Sequence, residues 1–287
     1  MLVARRAVVT LCLALSGVLF PGHASAEKPK PAAPVNKAEL ARQKQALETG
    51  SEAEKLAALD ELAKLGGSSA APAAVVVNEL LARGASTAVL MRALATAGKL
   101  AQPSSTAAVA PYARHRSTEL RVAATRALAG TGGPDAVTAL RAILHGGDRA
   151  SRGFAASGLA TLKAKDAVPD LFAVLAKDVP EAAGSIGELC APAECQKFVA
   201  ELGRLPFDLM QTGLGPLLLR PETEVSEDFK LELLERLRKL QTEEAQKFLE
   251  TIRSSYPEKG NAWVKYGLDQ AVANKPVAPP AGKGKSK

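Results

Sequence analysis

Histidine, cysteine and aromatic side chains are scarce in this chain, and their scarcity removes most ways of building a reactive centre. Three histidines and three cysteines occur in 287 residues, and aromatics make up 4%. His115 and His145 stand 30 residues apart with no cysteine nearby and no clustered carboxylates, a poor set of metal ligands. Neither has a serine or cysteine at a spacing that reads as a nucleophile and its base. Cys190 and Cys195, in LCAPAEC, lack the two-residue spacing of a thioredoxin-like motif, and a zinc site would need two further ligands. β-Branched residues seldom alternate with polar ones, so strand signals are few. The glycines of GLGPLLL, residues 213–219, follow no strand and lack phosphate-loop spacing; they read as a turn into an apolar helix. The expectation is a protein that is not an enzyme and has neither cofactor nor metal.

What the chain does have is a period. Arg121, Ala124, Leu128, Asp135-Ala136-Val137, Leu140 and Leu144 recur 31 residues later as Arg152, Ala155, Leu159, Asp166-Ala167-Val168, Leu171 and Leu175. A fixed period of this size marks stacked units, none of which can bury its apolar face alone. Apolar spacing within the units is helical. Ser86, Ser117 and Asp148 keep the same register as N-caps, followed by Asp178 with Pro180 just inside its helix, and Ser51 with Glu54 forms a capping box one unit earlier. Gly66, Gly98 and Gly130 read as left-handed ends of first helices. The predicted pairs are 51–65 with 70–83, 87–99 with 104–115, 117–130 with 134–145, 149–162 with 166–177, and 179–190 with 192–204. Lys37–Gly50 reads as an N-terminal capping helix. After Leu205 the period fades into helices at 226–240, 242–255 and 260–273, with Ser226 and Thr242 as caps.

The segment DRASRGFAASGLATLKAKDAVPDLFAVL, residues 148–175, resembles a HEAT repeat of the phycobilisome-lyase-like subclass. It carries an acid followed four residues later by arginine, a small-residue helix, an Asp-Ala-Val-Pro opening and Leu-x-x-x-Leu. STELRVAATRALAGTGGPDAVTALRAIL, residues 117–144, is similar, and 51–83, 86–115 and 179–204 match loosely. The resemblance covers a little over half the chain. It implies an all-α, right-handed α-solenoid of antiparallel helix pairs that holds other proteins, here with an irregular helical cap at the C-terminal end. Some relatives attach or isomerise bilin chromophores, so a bilin-lyase-like enzyme is the remote alternative. Fold alone does not assign chemistry.

The ends read differently. Arg5-Arg6, the apolar stretch Ala7 to Phe20 and Ala24-Ser25-Ala26 form a Sec-type export signal cleaved after Ala26, which places the mature protein in the periplasm or outside the cell. Residues 27–37 and 275–287 are Pro/Ala/Lys-rich and read as flexible tails, with the solenoid at 38–205 and its cap at 206–274. Of the formal +7, Arg5-Arg6 supply +2, residues 27–37 supply +2 and residues 275–287 supply +4, leaving the body at −1. The basicity therefore argues for no nucleic-acid partner. It leaves open contact of the tails with anionic envelope polymer or membrane surface.

Three constellations stand out in the body. Glu119, Arg121, Asp148 and Arg152 read as an acid–arginine ladder between units, structural in its simplest role. Arg83, Arg114, His145 and Lys177 recur at 31, 31 and 32 residues, with His115 beside them. They read either as cations stabilised at helix C-termini or as a track for an acidic segment of a partner protein in the cell envelope. Cys190 and Cys195 flank a corner forced by Pro192 and are expected to form a disulfide in an oxidising compartment. Trp263 and Tyr266 share one face of the last helix, as end-sealing core or as a contact surface.

Overall fold

The computed structural model describes residues 37–177 and 179–273. The export signal, most of the first linker, the expected cap Asp178 and the basic tail lie outside the described residues. Every regular element among the described residues is helical, and none of these helices is long and apolar enough to cross a membrane.

The order is α1 (Lys37–Thr49), α2 (Glu52–Leu62), α3 (Ala70–Arg83), α4 (Thr87–Leu100), α5 (Thr106–Val109), α6 (Thr118–Thr131), α7 (Gly133–Gly146), α8 (Arg149–Thr161), α9 (Val168–Leu175) and α10 (Pro180–Leu189). It continues with α11 (Pro192–Ala200), α12 (Phe207–Leu219), α13 (Glu227–Leu240), α14 (Glu243–Ser255) and α15 (Ala262–Val272). The even-numbered helices from α2 to α14 each pack on the next. Of the odd-numbered ones, α1 meets α3, α3 meets α5, α7 meets α9, and α13 meets α15.

Local chemistry explains the starts of these helices. Ser51, Ser86, Ser117, Asp148, Ser226 and Thr242 each accept a backbone N–H from the first turn, as their spacing predicts. Each takes up a donor that the helix itself cannot pair, an effect of about 0.5–2 kcal/mol. Ser51 and Glu54 close the full capping box. Leu59, Leu94, Leu128, Leu159 and Ile186 are fully buried, one from each even-numbered helix from α2 to α10. Their counterparts are Leu80, Val109, Leu144, Leu175 and Phe198, so a continuous apolar seam runs between the two sets.

Three expectations are corrected. Gly98 and Gly130 do not end their helices in left-handed turns; they lie inside α4 and α6, where the two backbones touch. The left-handed position after α4 is Ala101, with φ 52°, and after α6 it is Gly132, with φ 73°. Gly66 is extended at φ −140°, and Gly67 takes the positive φ instead. Residues 213–219 are not a turn but the second half of α12. There Gly213 and Gly187 let α12 and α10 approach so closely that a methyl on Gly187 would stand 2.0 Å from the Gly213 carbonyl oxygen. The helix expected at 104–115 is broken into a 3-10 turn at Pro103–Ser105, the single turn α5, and a 3-10 stretch at Ala110–Arg114. Pro111 is the reason: it has no N–H to give the Ala107 carbonyl and its ring crowds that turn.

Candidate functional site

The break at Pro111 has a consequence for the surface. The segment Ala107–Arg114 and helix α7 stand apart, and the space between them is a groove of ≈ 750 Å³. Ala107, Ala110 and Ala113 line one wall, and Ala139, Ala142 and Ile143 line the other. Gly146 and Gly147 close the end of α7, and Arg114 is the only charged residue among the lining side chains. Small side chains leave the groove wide, and Arg114 is exposed at its edge. Nothing lining it can act as a nucleophile, acid or base. What it offers is apolar surface with one cation for an acidic group.

The cationic row around Arg114 is not uniform. Arg83 pairs with Glu48 of α1 at 3.2 Å, and His145 Nε2 stands 2.9 Å from Asp170 Oδ1 of α9. Among the described residues no acid pairs with Arg114 or Lys177, and both are exposed. His115 is occupied by local structure. Its Nδ1 accepts the Ser117 N–H at 3.0 Å, its carbonyl accepts from Arg121 at 2.9 Å, and its ring stacks on Tyr112. Tyr112 in turn donates its hydroxyl to the Leu81 carbonyl at 2.6 Å, tying the broken segment to α3.

Asp170 is the group that spacing did not single out. It takes Arg141 Nε on Oδ2 at 2.6 Å and His145 on Oδ1, while Arg141 also reaches Asp166 at 3.3 Å. Burial pushes the Asp170 carboxyl up, but the hydrogen bonds from His145 and Arg141 outweigh it and hold the pKa below the usual carboxylate range. The signal was present as Asp166 and Asp170 in the DAVPD phrase, but their partner Arg141 lies on another unit and outside the recurring phrase.

Of the ladder, one rung is made: Arg121 Nε to Asp148 Oδ2 at 2.7 Å. The same Arg121 donates to the carbonyls of His115 and Arg116 and to the Thr118 hydroxyl, so it fixes the corner between the groove segment and α6. Asp148 is raised by burial but pulled lower overall by the Ser151 N–H and by Arg121. Glu119 is exposed, and Arg152 is partly buried with its Nε shielded from solvent. The four residues therefore do not form one continuous ladder among the described residues.

Cys190 and Cys195 are bonded, with Cα atoms 5.2 Å apart and both residues buried. Arg220, following α12, donates to the Cys190 carbonyl at 2.9 Å, with the same nitrogen 3.6 Å and 3.9 Å from the two sulfurs. Lys230 of α13 is buried, donating to the Arg220 carbonyl and to Glu222 at 2.8 Å. The disulfide corner and the C-terminal helices are thereby joined by buried polar contacts. Among the described residues no group of three histidine, cysteine or acidic side chains is placed to hold a metal.

No protein-family model matches this chain, and no curated protein matches it in sequence.

Proposed function

We propose that this protein is a non-enzymatic scaffold of the cell envelope that holds a segment of another protein. The single observation that carries the reading is the groove between Ala107–Arg114 and α7, apolar along its walls and cationic at Arg114. It would take an apolar stretch bearing a carboxylate, with Arg114 orienting the acid and steering the encounter. Reading the helix series as a right-handed α-solenoid of HEAT-like pairs belongs to the same proposal. The 31-residue register and the succession of neighbour-on-neighbour helix contacts support it. Export through the N-terminal signal belongs to it as well, and the Cys190–Cys195 bond is compatible with an oxidising compartment.

The test is a photo-crosslinking side chain at Ala142, on the groove wall, with Thr251 of α14 as the exposed control. A single protein trapped at Ala142 and not at Thr251 supports the scaffold. Adducts with polysaccharide or lipid at both positions, lost when residues 275–287 are removed, would instead support binding of an anionic envelope surface by the lysine tail. A spectral change on incubation with bilin and an acceptor protein would restore the lyase alternative.

A further inference from the structure

A second groove, independent of the first, lies between α13 and α15. It has a volume of ≈ 430 Å³ and runs along one face of α15 from Trp263 past Tyr266 to Ala271, with Leu231, Leu234 and the ion pair Glu235–Arg238 of α13 opposite. Trp263 and Tyr266 meet edge to face, ring centres 5.8 Å apart, and both are only half-buried. Gly267 sits between them and α13, where a methyl would stand 2.7 Å from Leu231 Cδ2. The helices therefore run close, and the aromatic pair rises beside their seam. Half-exposed aromatic rings beside a shallow apolar seam are the surface on which proline-rich extended segments dock, because the preformed helix loses little entropy on binding.

The sequence supplies such a segment directly after α15. Helix α15 ends at Val272, and residues 275–281 read KPVAPPA, followed by Lys283, Lys285 and Lys287. Seven residues in a polyproline helix reach about 22 Å. The groove face of α15, from Trp263 to Ala271, rises about 12 Å. The stretch can therefore turn back at the end of α15 and cover both aromatic rings.

Charge supports this direction. Asn261, capping the start of α15, donates to Glu227 in the first turn of α13 at 2.9 Å, and Gly267 further on meets Leu231 and Leu234. The two helices thus run the same way, and the start of α15 lies beside the acidic first turn Glu227-Asp228. A segment returning from the end of α15 would bring its lysines to those acids.

We propose that the α13/α15 groove is the seat of the chain's own proline-rich stretch, residues 275–281, packed on Trp263 and Tyr266 with the following lysines at the start of α13. The chain contains one tryptophan, so the site has its own optical reporter. In the full-length protein with Cys12→Ser, a bimane label on Ala278→Cys is quenched by contact with an indole, and more weakly by contact with a tyrosine ring. The expected result is quenched emission that is independent of protein concentration, weakens at high salt, falls sharply on Trp263→Phe, and is lost when Tyr266→Phe is added. Replacing Pro276, Pro279 and Pro280 by serine, which leaves the described helices untouched, should also release the quenching. Equal emission with and without the Trp263→Phe change would overturn the proposal. Quenching that disappears on dilution would overturn it too, by assigning the groove to the tail of a second copy.

Discussion

Gly130 lies against Gly98 so closely that a methyl group on it would stand 2.4 Å from the Gly98 carbonyl oxygen. The contact is backbone to backbone, so no rotamer change relieves it. Gly130→Ala should gain about 1 kcal/mol of helix propensity and still lose about 1–3 kcal/mol net through overpacking between α4 and α6. Gly146→Ala is the matched control, since a methyl there meets nothing within 4 Å. It should stabilise by about 0.5–1 kcal/mol. Urea midpoints of the two variants should move in opposite directions.

Asp170 gives the molecule an acid-side dependence with a definite sign. Its folded pKa is lowered, so the stability it contributes is complete above the unfolded value of about 4 and is lost as pH falls through the lower folded value. Asp170→Asn removes the ion pair with Arg141 and the carboxylate contact with His145. Thermal unfolding should separate variant from wild type most above about pH 5, with the two curves converging in acid. A constant gap down to low pH would assign the effect to packing.

The Cys190–Cys195 bond closes a short loop, which limits its contribution to about 2 kcal/mol. Cys190→Ala with Cys195→Ala should lower stability by about that amount, and its denaturant midpoint should not respond to added thiol. The wild type should fall to the level of the variant on full reduction.

How much of this was legible in sequence depends on how local the cause is. Ser86, Ser117 and Asp148 could be read as caps because a cap acts within its own first turn. The all-helical character followed from apolar spacing, and the disulfide from two cysteines at one corner. Gly98 and Gly130 were misread because glycine at a helix end and glycine at a helix crossing look alike until the neighbouring helix is placed. The groove was not legible at all. It depends on Pro111 breaking a helix that periodicity alone would continue, and on α7 standing 30 residues away in the chain. Arg220 at the disulfide and Lys230 beneath it lie past the end of the repeat, where no register pointed to their partners.

Arg114 is the residue on which the binding account rests, and its charge can be reversed without touching the core, because it is exposed at the groove edge. The most direct measurement is the yield of the Ala142 photo-crosslink in proteins carrying Arg114→Lys and Arg114→Glu. The account predicts that the lysine variant keeps most of the adduct and the glutamate variant loses it, with helical content unchanged in both. An equal yield from the glutamate variant would contradict it, leaving Arg114 as a helix-end cation and the groove without a part in holding a partner.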